Sequence, residues 1–202
     1  GPYYATEGIS VTLDGSASYD PLEDPYQSYP LEYYWYPANG DYGSWSISSK
    51  KYARYDNEGE YHPYLQVRTN TGYPWYYSEN AYATVYVNDT DPIPDFTCSQ
   101  QSGLTPLIVE FTDLSDSYDG IILWEWDFEN DGIIDVSGTD EAAQNPTFNY
   151  STPGVYTVNL TVHESDGDRI SMIKTDYIYA IAPRPPMDIY VPDDYPTIQE
   201  AI

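Results

Sequence analysis

The sequence predicts an all-β protein made of two tandem β-sandwiches, and three observations support this. Apolar residues alternate with polar ones in short runs, as at Ile9, Val11 and Leu13, which is typical of half-buried antiparallel strands. A block of roughly one hundred residues occurs twice. No amphipathic helical pattern occurs before the last ten residues, so we expect strands rather than helices to form both cores.

Two groups of residues define the repeat. An Asp-x-Ser-x-Ser-Tyr-Asp block at 14–20 returns at 113–119, and a tryptophan follows each block, Trp35 in the first copy and Trp126 in the second. A proline-rich stretch around 21–30 lengthens the first copy and predicts a longer loop. The second group keeps identical internal spacing: Tyr55, Gly59, Tyr61, Leu65 and Val67 recur as Tyr150, Gly154, Tyr156, Leu160 and Val162.

Further runs with a period of two occur in each copy, including Leu107, Val109 and Phe111. About seven short strands per hundred residues are typical of a sandwich. Gly59 and Gly154 each precede a strand, and we expect both to take a positive φ there.

The repeated residues resemble the PKD domain family. The second copy runs WEWDFENDG from Trp124 and then NPTFNYSTPGVYTVNLTV, similar to the family's W-D-F segment and its Y-x-x-x-G-x-Y-x-V-x-L-x-V strand. The first copy departs from this pattern, with WYPANG from Trp35 and with Pro63 inside the signature strand. The resemblance covers roughly residues 1–182. It implies an immunoglobulin-like sandwich in each copy, usually extracellular and often in tandem on large surface proteins.

The last residues carry a second resemblance. MDIYVPDDYPTIQEAI is similar to the opening of right-handed parallel β-helix domains, with Thr197 as N-cap and Glu200 completing a capping box. The predicted organisation is a first sandwich over 1–90, a second over 91–183, and a linker with the start of a β-helix over 184–202. Together these segments resemble archaeal cell-surface and surface-layer proteins of methanogens.

The charge excludes several classes of partner. The chain has 33 acidic and 7 basic side chains, a formal charge of -26, which argues against nucleic acid and against anionic membrane surfaces. It favours divalent cations, basic partners or solubility. No apolar stretch is long enough to cross a bilayer. Three glycosylation sequons, at Asn88, Asn149 and Asn159, agree with export, whereas the single cysteine, Cys98, leaves the compartment open.

The sequence predicts no enzyme. His62 and His163 are the two histidines of the chain, and neither is flanked by a serine or cysteine nucleophile motif. Carboxylate pairs are so frequent that no glycosidase pair can be singled out.

The spacing of acidic residues in one loop supports calcium as a ligand. Asp127, Glu129, Asp131 and Asp135 follow the early part of an EF-hand loop, with Gly132 at the turn. The bidentate glutamate of such loops is replaced by Gly138, and the same residues also read as an Asp-Gly hairpin that needs no metal.

The resemblance to PKD domains adds a second calcium set. Some members of the family bind calcium at the end of the module, and the matching positions here are Asn88, Asp119 and Asp166. The first copy matches less well, because Thr71 stands where the second copy has Asp166.

The tyrosines predict a contact surface. Eighteen of the 25 lie in residues 1–91, and too many alternate onto both strand faces for all of them to be core. We expect Tyr33, Tyr34, Tyr76 and Tyr77 to lie in a protein–protein interface, since exposed aromatic residues are enriched there. Stacking on sugar rings and a simple compositional bias stay open as alternatives.

The function predicted from these observations is structural. The chain is expected to provide non-enzymatic, extracellular spacing and adhesion in an archaeal surface layer, sheath or filament, in contact with other copies of itself or with other envelope proteins. The alternative is an accessory carbohydrate-binding or spacer part of a secreted β-helix enzyme that degrades polysaccharide.

Overall fold

The computed structural model describes residues 1–20, 29–69 and 75–185. The chain divides into two compact units, Gly1–Thr90 and Asp91–Ile202. The predicted start of a β-helix at 187–202 lies outside the described residues, as does most of the proline-rich stretch at 21–30. Nearly all regular structure in the described residues is β-strand, which confirms the all-β prediction.

The described part of the first unit contains nine strands in two layers. One layer is the antiparallel pair β2 and β5, and the other consists of the sheets β1-β9-β6 and β4-β3-β7-β8. The strands are β1 (Tyr3–Thr6), β2 (Ser10–Asp14), β3 (Leu31–Tyr36), β4 (Trp45–Ser46), β5 (Lys50–Arg54), β6 (Gly59–Tyr61), β7 (Tyr64–Thr69), β8 (Ala81–Tyr82) and β9 (Val85–Asn88).

The second unit has the same two layers with longer strands. The sheet β10-β12-β15 faces the sheet β11-β17-β16-β13-β14, and a single helical turn, α1 (Glu141–Gln144), precedes β15. The strands are β10 (Phe96–Cys98), β11 (Ser102–Leu104), β12 (Leu107–Asp113), β13 (Ile121–Asp127), β14 (Val136–Gly138), β15 (Thr147–Tyr150), β16 (Gly154–Glu164) and β17 (Arg169–Ile181).

Alternation along the strands builds each core. In β12 the side chains of Leu107, Val109 and Phe111 are buried while Ile108 and Glu110 are exposed, as a period of two requires. The buried aromatic rings of the second unit contact one another at centroid distances of 4.8–5.6 Å: Phe96 to Trp126, Phe111 to Trp126, Phe111 to Phe128, and Trp126 to Phe128. Both units are therefore immunoglobulin-like β-sandwiches with cores rich in aromatic residues.

Pro63 explains why the large sheet of the first unit is divided. In the second unit β16 runs without a break through Val158, the residue equivalent to Pro63. Proline has no N–H to donate to a neighbouring strand, so β6 ends at Tyr61 and β7 begins at Tyr64. One layer of five strands in the second unit thus becomes two smaller sheets in the first.

The repeated tyrosines of the two units make equivalent hydrogen bonds. Tyr55 Oη donates to the Pro37 carbonyl at 2.7 Å, and Tyr150 Oη donates to the equivalent Phe128 carbonyl at 3.1 Å. The second tyrosine of each group closes the turn before it: Tyr61 Oη donates to Asn57 O at 2.9 Å, as Tyr156 Oη does to Thr152 O at 2.7 Å.

The two equivalent glycines differ. Gly59 has a φ of +132°, as predicted, whereas Gly154 is not among the residues with positive φ, so the prediction for Gly154 is wrong. Gly154 lies at the start of β16, and a Cβ there would stand 3.2 Å from Cζ of Tyr156. The absence of a side chain at Gly154 therefore makes room for the tyrosine ring.

We expect the Tyr150 hydroxyl to stabilise the second unit. In Tyr150→Phe the buried carbonyl of Phe128 loses its donor, which costs about 1–3 kcal/mol of unfolding free energy. Tyr55→Phe gives a similar loss in the first unit, and Tyr179→Phe, on a half-exposed ring, serves as the control. Urea denaturation followed by tryptophan fluorescence measures all three, and losses equal to that of the control would contradict the assignment.

Burial also makes these hydroxyls resistant to alkali. It raises the pKa of Tyr55 to about 12, and it also raises the pKa of Tyr150. Because the folded-state pKa exceeds the unfolded value of about 10, this contribution to stability is complete below about pH 10 and is lost as pH rises above it.

Candidate functional site

The outer side of the sheet β4-β3-β7-β8 is covered by aromatic rings. Alternation on β3 turns Tyr33 and Trp35 inward and Tyr34 and Tyr36 outward. Trp45 and Tyr64 contact these two rings, and Tyr77 and Tyr82 contact Trp45 and Tyr64 in turn. We call this surface the aromatic face: Tyr34, Tyr36, Trp45, Tyr64, Tyr77 and Tyr82.

The rings of the aromatic face contact one another. Tyr36 and Tyr64 are opposite each other on β3 and β7 and stack with centroids 5.1 Å apart and planes at 25°. Tyr64 also contacts Tyr82 at 5.7 Å and Tyr34 at 6.3 Å, and Trp45 contacts Tyr34 at 5.5 Å. Two rings lying side by side in one plane cannot bring their centroids as close as 5.1 Å. Tyr36 and Tyr64 therefore stack, each with a ring face turned toward the other.

Backbone and charge hold the face in place. A Cβ at Gly43 would lie 2.6 Å from the Tyr34 ring, so a glycine is needed for this ring position. The Arg68 guanidinium lies 4.2 Å from the centroid of Trp45 and 3.9 Å from that of Trp75. Its Nη2 donates to Glu32 at 2.6 Å, and both side chains are only 16% exposed. The ion pair leaves the face without net charge, and the cation–π contacts hold the guanidinium against the rings.

The predicted interface residues divide between core and surface. Tyr33 is 9% exposed and packs in the hydrophobic core, so the prediction that it lies in an interface is corrected here. Tyr34 and Tyr77 belong to the aromatic face, and Tyr76 beside it is 67% exposed. The adjacent pair Tyr33-Tyr34 had to divide, because successive residues of a strand point to opposite sides.

Sequence reasoning missed Trp45, Tyr64 and Tyr82. Their position follows from pairing: Tyr34 is opposite Trp45 on β4, and Tyr64 is opposite Tyr82 on β8. The alternating pattern of β3 indicates which of its side chains point outward. Which residues of the neighbouring strands lie beside them depends on the pairing register, which a single sequence does not reveal.

The acidic loop of the second unit is a hydrogen-bonded hairpin. The buried carboxylate of Asp127 accepts the Gly132 N–H at 2.8 Å, the Asp131 N–H at 3.2 Å and the Glu129 N–H at 3.3 Å. Asp135 Oδ2 accepts the Phe128 N–H at 2.8 Å. These bonds use the carboxylates to close the turn, as the hairpin alternative requires.

The loop is electrostatically crowded. Partial desolvation raises the pKa of Glu129, and the carboxylates of Asp135, Asp131 and Asp127 raise it further. The oxygens are of the hard type that calcium takes. Among the described residues, however, these four do not form a group with oxygens within 4.8 Å of one another.

The second predicted calcium set falls partly beside a different carboxylate group. Oxygens of Glu164, Asp166 and Asp168 lie within 4.8 Å of one another, with Glu164 buried. Ser117 Oγ donates to Glu164, and Ser165 Oγ donates to the Asp119 carbonyl at 3.4 Å. The neighbour of Asp166 in sequence, Ser165, thus contacts the Asp119 backbone, but the carboxylates of Asp119 and Asp166 do not belong to one group of oxygens within 4.8 Å among the described residues. The sequence did not single out Glu164 and Asp168, because they fall outside the family's matching positions.

The other predicted residues have ordinary surroundings. Asn88 and Asn149 are exposed, whereas Asn159 is half-buried on β16, between β13 and β17. His163 Nε2 donates to Glu125 Oε2 at 2.9 Å, and Arg169 Nη2 donates to the same oxygen at 2.9 Å. His62 lies 3.8 Å from Glu60. Both of these histidine contacts are with carboxylates, and Cys98 Sγ donates to the Gln100 carbonyl at 3.4 Å.

The W-D-F hairpin and the larger of the two aromatic cores belong to the second unit. Residues 89–179 match the PKD domain family. PKD domains are typically non-catalytic and occur in extracellular proteins. No curated protein matches the chain. None of the helices in the described residues has the length and apolar character that a bilayer span needs.

Solved PKD domains are similar to part of the chain. The PKD1 domain of the Vibrio cholerae metalloprotease PrtV is 28% identical over 46% of this chain and 99% of its own, with a TM-score of 0.35. The PKD1 domain of Vibrio anguillarum Epp is 26% identical over 48% of this chain and 100% of its own, with a TM-score of 0.38. A structure of carbohydrate-binding modules from the β-sandwich superfamily is 29% identical over 46% of this chain and 35% of its own, with a TM-score of 0.39.

Two glutamates of the PKD match should respond to neutralisation in opposite ways. The His163 hydrogen bond, and then Arg169, hold the pKa of Glu125 below its ordinary value, whereas the pKa of Glu129 is raised. At pH 7 we expect Glu129→Gln to increase the unfolding free energy and Glu125→Gln to decrease it, each by about 1 kcal/mol or less.

The dependence on pH provides the control. The gain from Glu129→Gln vanishes below about pH 4, where Glu129 is protonated in both the folded and unfolded states. The loss from Glu125→Gln shrinks as pH falls through the lowered folded-state pKa of Glu125. Chemical denaturation between pH 3 and pH 7 measures both, and effects of the same sign would contradict the two environments.

Proposed function

We propose that this chain is a non-enzymatic structural or adhesive part of an archaeal cell-surface protein, in a surface layer, sheath or filament. The observation that carries the proposal is the aromatic face of the first unit. Its rings form a continuous set that includes the Arg68–Glu32 ion pair. They lie on the outer surface of a sheet, where polar residues are expected. The match of the second unit to PKD domains supports an extracellular location.

The charge distribution favours contact through this face. The first unit has 12 acidic and 4 basic side chains, and the second has 21 and 3. Two copies therefore repel each other over most of their surfaces. The aromatic face, with Arg68 and Glu32 paired inside it, is a region where another copy or another acidic envelope protein can approach without that cost.

Ring orientation favours a protein partner over a sugar. A pyranose ring stacks on an exposed aromatic face, but Tyr36 and Tyr64 cover each other's faces and Arg68 covers one face of Trp45. The stacked rings leave edges and hydroxyl groups for a partner. Such surfaces provide rigid contact area with hydrogen-bonding ability, which is the chemistry of protein interfaces.

Two matched double variants test the contact surface. Tyr34→Ser with Tyr77→Ser removes two rings of the aromatic face, and we expect self-association to weaken by tenfold or more, since interface energy concentrates in aromatic anchors. Tyr19→Ser with Tyr52→Ser removes two exposed rings elsewhere, 79% and 71% exposed, and leaves association unchanged. Sedimentation velocity over a concentration series, followed by electron microscopy of the assembled material, measures the difference.

Other results would point elsewhere. Equal assembly of both double variants would remove the aromatic face from the proposal. The accessory-module alternative requires retention on polysaccharides in affinity electrophoresis, reduced in the Tyr34/Tyr77 variant and unchanged in the Tyr19/Tyr52 variant. That pattern, without self-association, would replace the structural function by glycan binding.

We retain calcium as part of the proposed function, because rigid spacing benefits from an ion that ties turns together. Ca²⁺ binding to the folded state should raise the melting temperature by several degrees relative to chelator, with little effect of Mg²⁺. The variants Asp166→Asn and Asp131→Asn test the two candidate sets separately. The variant that abolishes the calcium shift identifies its set, and coincident melts of the parent protein with Ca²⁺ and with chelator would eliminate both.

A further inference from the structure

The aromatic face is rich in hydrogen-bond donors. Its six rings carry five tyrosine hydroxyl groups and one indole N–H. The pKa of Tyr64 is raised first by desolvation and then by three neighbouring hydroxyl groups, those of Tyr34, Tyr82 and Tyr36. Tyr64 therefore stays protonated and able to donate at neutral pH. No described residue accepts a hydrogen bond from these four hydroxyl groups, so they remain available to a partner.

The chain contains a segment with the complementary chemistry, residues 182–185, which we call the proline segment. Each of its four residues is a proline or directly precedes one, which restricts the backbone to extended, polyproline II-like conformations. All four residues are exposed and belong to no helix or strand. Pro183 and Pro185 have no N–H, and a polyproline II backbone makes no internal hydrogen bonds. The carbonyl oxygens of the segment are therefore free to accept from a donor-rich surface.

A pair of opposite charges adds to this match. Glu79 is exposed and lies in the sequence between Tyr77 and Tyr82 of the aromatic face. Arg184 lies within the proline segment and is also exposed. Neither side chain forms an ion pair with another described residue, whereas the other two basic side chains of the second unit are held by carboxylates at 2.9 and 2.7 Å. The face and the segment are thus complementary in charge as well as in hydrogen bonding.

We infer that the aromatic face of one copy binds the proline segment of another copy, an inference that rests on the proposed self-association. The aromatic rings contact the pyrrolidine rings of Pro183 and Pro185, and the tyrosine hydroxyl groups donate to the carbonyl oxygens of the segment. Glu79 pairs with Arg184 at the rim of the contact. Aromatic surfaces recognise polyproline II segments in this way, and the segment loses little conformational entropy because it is already extended.

The path of the chain through the second unit assigns the segment to another copy. The proline segment follows Ile181, whose carbonyl accepts the Thr105 N–H at 2.9 Å, just before β12 begins at Leu107. β10 begins at Phe96, which is opposite Asp113 at the other end of β12. The seven residues of β12 separate these ends by about 20 Å, and the proline segment spans only about 12 Å. The segment therefore leaves the second unit at the end opposite to the one where the chain enters it.

Such a contact joins two different surfaces. Each copy that gives its proline segment to a neighbour keeps its aromatic face for the next copy. Head-to-tail contacts of this kind grow into rings or open filaments rather than closed dimers. The inferred contact thus produces the extended assembly that the proposed function requires.

Substitutions in the proline segment of the whole chain test the contact. Pro183→Ala with Pro185→Ala removes two pyrrolidine rings and their restriction on the backbone, and we expect self-association to weaken by about tenfold or more. The matched control is Pro2→Ala with Pro153→Ala, at two other exposed prolines, and it should associate as the parent protein does. Sedimentation velocity over a concentration series compares the three proteins.

Charge reversal tests the pairing of Glu79 with Arg184 and the contribution of a second copy. Glu79→Arg and Arg184→Glu each bring like charges together, and we expect each to weaken self-association by about threefold to tenfold at low ionic strength. In an equimolar mixture of the two variants, every contact between unlike copies again joins opposite charges, so association should return with the variants alternating. A fluorophore on one variant shows whether it enters the mixed complexes. A contact within one chain cannot be restored by mixing, and recovery also shows that both variants are folded.

The outcomes separate this inference from the proposed function. Normal assembly of the Pro183/Pro185 variant, together with failed assembly of the Tyr34/Tyr77 variant, would overturn the proline segment as the occupant and leave the proposed function standing. Unchanged assembly of both variants would remove both. Weakened association of the two charge variants without recovery on mixing would overturn the pairing between copies.

Discussion

The rest of this molecule depends on one interaction, the hydrogen bond that a buried tryptophan donates inside each sandwich. Trp126 stands on β13 and donates from Nε1 to the Ala143 carbonyl at 2.8 Å, next to the opposite layer. Trp35 on β3 does the same to the Ser49 carbonyl at 3.3 Å. An indole N–H buried without that acceptor would cost about 1–3 kcal/mol, a substantial part of what burial of the ring gains. The hydrogen bond therefore fixes which side of β3 and β13 points inward, and alternation then determines the outward side.

The aromatic face is a consequence of that constraint. With Trp35 inward, Tyr34 and Tyr36 must lie outward, and the pairing of β3 with β4 and β7 brings Trp45 and Tyr64 against them. The equivalent outward position in the second unit is Glu125, which pairs with His163 and Arg169. One fold thus carries an aromatic outer surface in its first copy and a polar, hydrogen-bonded one in its second. Most of the tyrosines lie in the first copy, and most of the acidic residues lie in the second.

The sequence was informative where a property is local and incomplete where it depends on pairing. Spacing alone predicted the repeat, the alternating strands and the departure at Pro63, because each follows from a few neighbouring residues. It did not separate Tyr33 from Tyr34, although the buried Trp35 beside them contains that information. It could not supply Tyr82, Glu164 or the orientation of the stacked rings, since these depend on which strands become neighbours and in which register. The Asp127 spacing fits both a calcium loop and a hairpin, and the hydrogen bonds accepted by Asp127 show the hairpin.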